Sequence, residues 1–481
     1  MDMRITPPKI IQGGMGAGVS NWCLAQAVSR IGQLGIVSGT GLAEVVARRL
    51  QDGDPGGHTR RAFEHFPFPQ MAQRVLDTFF VPGGKPKDVP YRRLPTLDLE
   101  GKKEPMELSI VGNFVEVFLA REGHSNPVGI NYLEKIQLPH LPSIYGALLA
   151  GVSVVIMGAG IPLAVPRVLQ SLSRHESTEY PILVAGPDGR SEVRSMAFNP
   201  SDFIEGSSIP DTLEIPDFLP IVSSDALASI LLRKASGPID GFIVEGNLAG
   251  GHNAPPRGKA SYNEEGEPIY GARDEAKLSA IRDMGLPFWL AGSVGSPEGL
   301  QRALNEGASG VQVGTAFALC EESGLLPEVR YELIRQALAG KARVFTDPLA
   351  SPTGFPFKVA ELAGSLTDDN IYQQRRRLCD LSFLRQPYLR PDGKVGYRCP
   401  AEPVAAYVAK GGTEEDAAGR KCLCNALIAN VGMPQRLPDG TDEKCLITLG
   451  DDLAEVGRFC PDGKVAFSAA DVIRVLLGNP A

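Results

Sequence analysis

The chain lacks the features that direct a protein to a membrane. Its longest apolar runs, such as 151–160 and 288–292, have the length of strands and are too short to cross a bilayer. Residues 1–8 do not have the basic and then apolar order of a signal peptide. These absences predict a cytoplasmic protein that does not act on a membrane.

Basic residues and cysteines are also sparse. The 48 lysines and arginines against 56 acidic residues give a net charge of -8, which argues against a nucleic-acid-binding surface. Eight cysteines among 481 residues are too few for a disulfide scaffold. The expected partner is therefore a small molecule, and a homodimer is the assembly considered.

The pattern that is present consists of short apolar segments separated by helical stretches. Eight such segments begin near residues 10, 34, 127, 152, 218, 241, 288 and 310. Alternation of strands and helices predicts a parallel sheet, and eight strands predict an α/β fold, the (β/α)8 or TIM barrel, with about 250 core residues.

Three stretches exceed the needs of a barrel. A large insertion at about 41–107 follows the second strand, and a polar insertion lies at about 186–216. We predict a barrel domain over residues 1–358 and a mainly helical C-terminal extension of unknown role over 359–481.

One predicted strand is followed by a glycine-containing segment and then by a histidine. The apolar residues 241–244 lead to Ala249, Gly250 and Gly251, which leave room for a flat ligand beside His252. Because imidazole titrates near neutral pH, His252 is the candidate catalytic base; the alternative is an ordinary hydrogen-bonded histidine. A second Gly-Gly-His, at 56–58, lies in a polar stretch and is predicted to be a loop.

Two glycine-containing loops follow the last two strands, at 291–295 and 313–316. Exposed backbone N–H groups and the start of a helix near Ser296 favour an anion. The loops after strands seven and eight are the usual phosphate site of this barrel, so we predict phosphate binding there. The alternative is that these glycines only close tight turns.

A dinucleotide-binding fold is the competing interpretation of Gly14, Gly16 and Gly18. That fold needs an acidic residue at the end of the second strand to hold the ribose, and residues 35–41 contain none. The first glycine cluster is better explained by close approach of the backbone to a planar ring.

Several ordered segments together resemble the nitronate monooxygenase family, also named 2-nitropropane dioxygenase-like, a group of FMN-dependent TIM-barrel oxidoreductases. The resemblance covers most of residues 8–358. One departure is Asn247-Leu248 before Ala249-Gly250-Gly251-His252, where the family often has Glu-Ala-Gly-Gly-His; the insertion at 41–107 and the extension exceed compact members. The segments are 11–16, 129–131, 157–162, 245–252, 291–294 and 312–317.

The resemblance implies a role for individual residues. It makes His252 the catalytic histidine and FMN the cofactor. Gly14, Met15 and Asn131 would lie against the isoalloxazine and the ribityl chain, with Gly250 and Gly251 beside the ring. The FMN phosphate would be held by Gly292, Ser293, Gly314 and Thr315.

Several activities are compatible with such a site. The first is oxidation of alkyl nitronates with dioxygen, with His252 as base. The second is the larger branch of the family, NAD(P)H-dependent trans-acting enoyl reductases, whose enoyl thioester is carried by an acyl carrier protein. Two further alternatives are the reduction of a simple acceptor by NAD(P)H and a flavin-binding subunit without catalytic activity.

The extension contains most of the cysteines and an arginine run. Zinc or an iron–sulfur cluster is one interpretation of the cysteines, but their spacing is unusual and no histidine follows His252, so we predict buried or free thiols and no metal site. Arg375, Arg376 and Arg377 are predicted to form a solvated helix face, the alternative being contact with a carrier phosphate. The six cysteines are Cys379, Cys399, Cys422, Cys424, Cys445 and Cys460.

Overall fold

A computed structural model describes residues 3–186, 189–204, 206 and 209–478 of the chain. Within them, the strands are β1 (Ile10–Gln12), β2 (Gly35–Ser38), β3 (Val128–Leu133), β4 (Val154–Gly158), β5 (Thr178–Ala185), β6 (Ser191–Phe198), β7 (Asp217–Val222), β8 (Phe242–Glu245), β9 (Gly251–His252), β10 (Phe288–Ala291), β11 (Gly310–Val313), β12 (Val344–Asp347), β13 (Phe357–Ala360), β14 (Gln386–Leu389) and β15 (Val395–Arg398).

The helices are α1 (Trp22–Arg30), α2 (Leu42–Gln51), α3 (His58–Glu64), α4 (Pro69–Phe79), α5 (Lys103–Arg121), α6 (His140–Leu149), α7 (Val165–Ser173), α8 (Asp225–Lys234), α9 (Leu278–Arg282), α10 (Pro297–Asn305), α11 (Thr315–Leu319), α12 (Pro327–Leu338), α13 (Asp369–Gln374), α14 (Val404–Ala409), α15 (Glu414–Ala417), α16 (Leu423–Ala429) and α17 (Ala469–Leu476). Short 3-10 helices cover Pro55–Gly57, Pro200–Asp202, Asp451–Phe459 and Pro461–Gly463.

Side-chain caps fix the start of several barrel helices. Asn21, Ser224 and Ser296 each accept a hydrogen bond from the backbone N–H three residues further on, at the start of α1, α8 and α10. Each such cap contributes about 1 kcal/mol of stability. The cap at Ser296 also fixes where α10 begins, directly after one of the two predicted phosphate loops.

Eight parallel strands form the centre of the molecule. Their order is β1-β11-β10-β8-β7-β4-β3-β2, and a parallel bridge between Ile11 and Leu34 joins the first strand to the last. These are the eight strands expected from the sequence, so the (β/α)8 barrel is confirmed. The strands are mainly apolar because both faces are covered: neighbours such as Ile10 and Ile11 belong to the outer and the inner core respectively.

The insertion after β2 is helical. It contains α2, α3, α4 and the start of α5, and α5 packs against α1, α2 and α6. Gly146 of α6 lies so close to α5 that a Cβ there would clash with the Ile110 carbonyl. The prediction that 56–58 is a loop is wrong, because a 3-10 turn leads there directly into α3, which begins at His58.

A second sheet lies outside the barrel. Strands β5 and β6 form an antiparallel hairpin, and β14 and β15 from the extension add to it in the order β15-β14-β5-β6. Sequence analysis predicted only a polar interruption at 186–216, of which residues 187–188, 205 and 207–208 lie outside the described residues. The hairpin was missed, although β5 alternates buried and exposed residues as a half-buried strand does.

The extension wraps around the barrel. Helix α17 packs against α1, α10 and α11, and the 3-10 helix Asp451–Phe459 packs against α11 and α12. Short helices outnumber strands there, as predicted. The division into two domains at 358 stays a prediction.

The arginine run of the extension is not a solvated helix face. Arg375 follows α13 and forms a buried ion pair with Glu443. The Arg377 guanidinium donates hydrogen bonds to the carbonyls of Pro400 and Ala417, at 3.1 and 2.7 Å. The prediction is therefore wrong for both residues, because partners distant in the sequence enclose them.

In the part of the chain described by the structure, every helix is too short or too polar to span a bilayer. The cytoplasmic location stays a prediction.

Candidate active site

An open cavity of about 1210 Å³ lies at the carboxyl ends of the barrel strands. All ten residues predicted from the sequence line it: Gly14, Met15, Asn131, Gly250, Gly251, His252, Gly292, Ser293, Gly314 and Thr315.

Asn131 and Gly14 form one wall of the cavity. The Asn131 amide donates a hydrogen bond to the Gly14 carbonyl at 3.2 Å, and any Cβ at Gly14 would clash with the Asn131 side chain. Asn131 Oδ1 and Gln312 Oε1 are buried and have no hydrogen-bond partner. Because unsatisfied buried acceptors are costly, both are suited to receive N–H or O–H groups of a bound ligand. Gln312 was not predicted.

The two predicted phosphate loops lie side by side at one end of the cavity. Gly292 and Ser293 both have positive φ, 97° and 52°, so the first loop is a tight backbone turn. The Thr315 hydroxyl in the second loop accepts a hydrogen bond from the Gly450 N–H at 2.9 Å. A segment of the extension, 448–452, therefore completes this end of the cavity.

Asp452 brings a carboxyl group to the same end. It accepts a hydrogen bond from the Gly295 N–H at 3.2 Å, and burial raises its pKa. Among the described residues that line the cavity, none is lysine or arginine. The loops thus offer backbone donors to an anion, while Asp452 opposes a negative charge. Sequence reasoning missed this residue, which lies far from the barrel motifs along the chain.

His252 lies in the two-residue strand β9, which pairs antiparallel with β13 of the polypeptide that enters the extension. Its ring packs edge-on against Phe357, with 4.7 Å between the centroids. Its Nε2 is 2.7 Å from Ser351 Oγ. Burial, and to a smaller extent the charge of Lys135, hold the pKa of His252 well below its usual value. The imidazole is therefore neutral at neutral pH.

A chain of polar groups connects His252 to a lysine. Ser351 Oγ is 2.8 Å from Thr353 Oγ1, which accepts a longer hydrogen bond of 3.5 Å from Lys135 Nζ. Lys135 follows β3, lies over the Phe355 ring, and has its pKa lowered by burial to about 7. None of these three polar residues was predicted, since their contacts join residues that are 99 positions apart, for His252 and Ser351, and 218 positions apart, for Lys135 and Thr353.

Glu245 is a second ionisable group at the barrel mouth. It ends strand β8, and burial raises its pKa to about 7. It lines the central cavity and a neighbouring one of about 1050 Å³ that His252, Lys135 and Arg257 also border. Glu245 belongs to the sequence segment that contains His252, but its position at the end of a strand does not by itself indicate a function.

A third cavity, of about 900 Å³, lies on the other side of the barrel mouth. Its apolar lining includes Leu42, Leu94 and Leu97 of the insertion and Leu381 and Phe383 of the extension, next to the ionisable residues Glu44, Asp380 and Arg385. Thr40 and Leu133 border both this apolar cavity and the central one. The central cavity therefore has an apolar neighbour on one side and a neighbour with two basic residues on the other.

A sequence model of one protein family, described as nitronate monooxygenase, matches residues 211–345. This segment is similar to nitronate monooxygenases. It contains β7, β8, β10 and β11, and with them His252 and both predicted phosphate loops. The resemblance inferred from the motifs is confirmed for this part of the barrel.

Two curated nitronate monooxygenases are similar to the chain. The nitronate monooxygenase of Pseudomonas aeruginosa is 36% identical over 125 residues, which are 26% of this chain and 34% of the relative. A probable nitronate monooxygenase of Bacillus subtilis is 31% identical over 115 residues, 24% of this chain and 31% of the relative. The matches span about a third of the length of these relatives.

Three solved structures align with almost the whole chain at low sequence identity. FabK from Thermotoga maritima has a TM-score of 0.46 at 15% identity, covering 98% of this chain and 92% of its own. Nitroalkane oxidase from Streptomyces ansochromogenes has a TM-score of 0.44 at 16% identity, covering 98% of this chain and 94% of its own. The MlnA enoyl reductase domain from Bacillus amyloliquefaciens has a TM-score of 0.43 at 12% identity, covering 97% of this chain and 92% of its own.

Proposed function

We propose that the protein is an FMN-dependent oxidoreductase that oxidises alkyl nitronates or small nitroalkanes with dioxygen. The observation that carries the proposal is His252, a neutral imidazole in the wall of a glycine-lined cavity, within the segment that matches the nitronate monooxygenase family. A neutral imidazole is the form that accepts a proton.

The residues present fit FMN at the ring end of the cavity. The close approach of Gly14 to Asn131 leaves a flat wall, and the unpaired oxygens of Asn131 and Gln312 can accept hydrogen bonds from the ring or the ribityl chain. Met15, Gly250 and Gly251 border the same space. When bound, FMN would supply an electron acceptor that dioxygen can reoxidise.

The residues at the predicted phosphate end of the cavity fit FMN less completely. Gly292, Ser293, Gly314 and Thr315 would receive the phosphate through their backbone N–H groups. The carboxyl group of Asp452 at the Gly295 N–H is an opposing charge. Since burial already raises the pKa of this carboxyl group, a neighbouring phosphate would favour its neutral form further.

The role proposed for His252 is to take the carbon-bound proton of a nitroalkane, or to hold a nitronate by a hydrogen bond. With Nε2 directed at Ser351 Oγ, the second ring nitrogen, Nδ1, is the one available for the substrate. The polar chain through Ser351 and Thr353 to Lys135 offers a route by which the proton leaves the imidazole. Lys135 suits the end of such a route because its pKa is about 7.

The experiment is anaerobic mixing of the purified full chain with one of three reductants: an alkyl nitronate, NADH or NADPH. The protein is expected to carry flavin absorbance, which an alkyl nitronate bleaches and NAD(P)H does not. Colourless protein that cannot be reconstituted with FMN contradicts the cofactor. Bleaching by no reductant indicates the flavin-binding subunit without catalysis.

A second candidate is NAD(P)H-dependent reduction of an enoyl thioester delivered by an acyl carrier protein. The apolar cavity favours it, since an acyl chain needs an apolar space adjoining the cofactor site, and Thr40 and Leu133 border both. Lys135 and Arg257 on the opposite side could receive a phosphate group. Bleaching by NADPH followed by reoxidation with a crotonyl thioester would select this activity over nitronate oxidation.

A further inference from the structure

Four of the eight cysteines surround one small cavity in the extension. The side chains of this thiol pocket, Cys379, Cys399, Cys422 and Cys424, line a space of about 240 Å³. All four are free thiols. Every pair among them lies close enough to interact electrostatically.

Three separate segments bring the thiols together. Cys379 lies in the loop after α13, Cys399 directly follows β15, and Cys422 and Cys424 lie at the start of α16. The other four cysteines, at positions 23, 320, 445 and 460, do not line this space. A single buried cysteine packs like a small hydrophobic residue, but four thiols directed at one cavity from three segments form an arrangement typical of a ligand set.

The surroundings of the pocket are suited to negatively charged sulfur. Arg385 lines the cavity, and the buried guanidinium of Arg375 lies near Cys422. Glu443 neutralises part of the Arg375 charge through their ion pair. The nearest polar contact of Cys379 is a long one, 3.9 Å to the Ser382 hydroxyl. Cys399 and Cys422 instead receive backbone hydrogen bonds from Ala401 and Asn425, and Cys422 also contacts Cys424.

We propose that the thiol pocket binds a thiophilic metal centre through four cysteine thiolates, either a zinc ion or an iron–sulfur cluster. Both centres are held by four cysteines in proteins. Each thiol that is protonated before binding loses its proton to solvent as its sulfur bonds to the metal, so no oxidant or reductant is needed for zinc. A cluster brings its iron and sulfide with it.

The four thiols are not arranged as a finished metal site. Among the described residues, no three cysteine, histidine or carboxylate side chains are arranged to hold one ion as they stand. Binding of a zinc ion or of a cluster would therefore require the cysteine side chains to change their orientation within the pocket.

The pocket is connected to the partner of His252. Pro352 lines it, and the Arg420 guanidinium and the Lys421 N–H donate hydrogen bonds to the carbonyls of Ser351 and Ala350, at 2.7 and 2.8 Å. Lys421 directly precedes Cys422. A metal centre would therefore hold in place the loop that carries Ser351, which makes its role structural.

The test is elemental analysis of the full chain, purified without chelators under anaerobic conditions. We expect one zinc per chain, or iron with acid-labile sulfide and visible absorbance beyond that of flavin. The first result assigns an ion and the second a cluster, and both support the site. Protein with neither metal in stoichiometric amount, whose reduced form takes up neither Zn²⁺ nor a reconstituted cluster, would overturn the proposal. So would a disulfide within the pocket of the untreated protein.

Variants locate the metal. Cys399→Ser and Cys424→Ser should lose the bound metal, while the matched control Cys23→Ser, in α1, should retain it. If the pocket variants do not fold, removal of the metal from the natural protein with a chelator should lower its Tm, and added metal should restore it. Metal that stays bound in both soluble pocket variants, or a Tm that the chelator leaves unchanged, contradicts the site.

Discussion

The barrel and the C-terminal extension both build the candidate active site, but in different ways. The barrel contributes residues at strand ends, such as Asn131 of β3 and Glu245 of β8. The extension and the loop before it contribute partners for those residues, namely Ser351 to His252 and Gly450 to Thr315. The difference indicates that the barrel forms most of the central cavity, and that the extension and the loop before it hold several of the side chains that line it. Barrel substitutions should therefore have the larger effects.

The largest expected effect is that of His252→Ala. Loss of a general base lowers kcat/KM by about 10²–10⁴-fold, and FMN should remain bound because the glycine walls are intact. Steady-state rates with an alkyl nitronate, together with the flavin content, measure both. The matched control is His65→Ala, on the exposed surface of the insertion. An unchanged rate in the His252 variant would remove this residue from the mechanism.

Gly14→Ala should impair cofactor binding rather than turnover. The added Cβ meets the Asn131 side chain, and such overpacking costs about 2 kcal/mol, or roughly 30-fold in FMN affinity. Flavin fluorescence titration of the apoprotein measures the affinity. Gly271→Ala serves as the control, since a Cβ there meets no atom within 4 Å. Equal affinity in the two variants would show that the ring does not lie against Gly14.

Glu245→Gln should change how stability depends on pH. Burial raises the pKa of Glu245 from 4.5 to about 7, so the folded state favours the protonated form. The stability that protonated Glu245 gives to the folded state is fully present below pH 4.5. It is lost as the pH rises to about 7 and Glu245 ionises. Relative to the variant, the natural protein should lose about 3 kcal/mol of unfolding free energy across this window.

Urea unfolding of both proteins at several pH values measures this difference. A difference in unfolding free energy that does not vary between pH 4.5 and 7 would mean that Glu245 is not perturbed.

In the loop before the extension, the substitution Ser351→Ala should lower activity through its effect on His252. Loss of one hydrogen bond to the imidazole lowers kcat by about tenfold and leaves FMN affinity unchanged. The pH profile of kcat should shift as well, because Nε2 loses its partner. Ser351→Thr should restore most of the rate, and Ser261→Ala, at an exposed position, is the control. A normal pH profile in the alanine variant would indicate a purely structural role.

The smallest expected effect is that of Asp452→Asn. Removal of a negative charge beside the predicted phosphate loops should tighten FMN binding by about 1 kcal/mol, or roughly fivefold. Riboflavin, which lacks the phosphate, provides the internal control and should bind equally to both proteins. Tighter binding of riboflavin as well would place the phosphate elsewhere.

The sequence alone was sufficient for the barrel and for the glycine-lined part of the site. Buried parallel strands leave continuous apolar runs, and the residues that follow them meet at one end of the barrel; the resemblance to nitronate monooxygenases then supplied the roles of the ten named residues. Ser351, Thr353 and Asp452 were missed because their contacts join segments that are far apart in the sequence. Arg375 was misread for the same reason, since its partner Glu443 is distant in the sequence.

The pairing of β9 with β13 has a consequence for the timing of biosynthesis. The last barrel strand ends at Val313, but His252 gains its strand partner only when Phe357–Ala360 has been made, and Thr315 gains Gly450 later still. During synthesis, the barrel strands can therefore pair before these contacts form. A ribosome that stalls between these points leaves a chain whose barrel strands are complete, while the wall of the central cavity that contains His252 still lacks its strand partner.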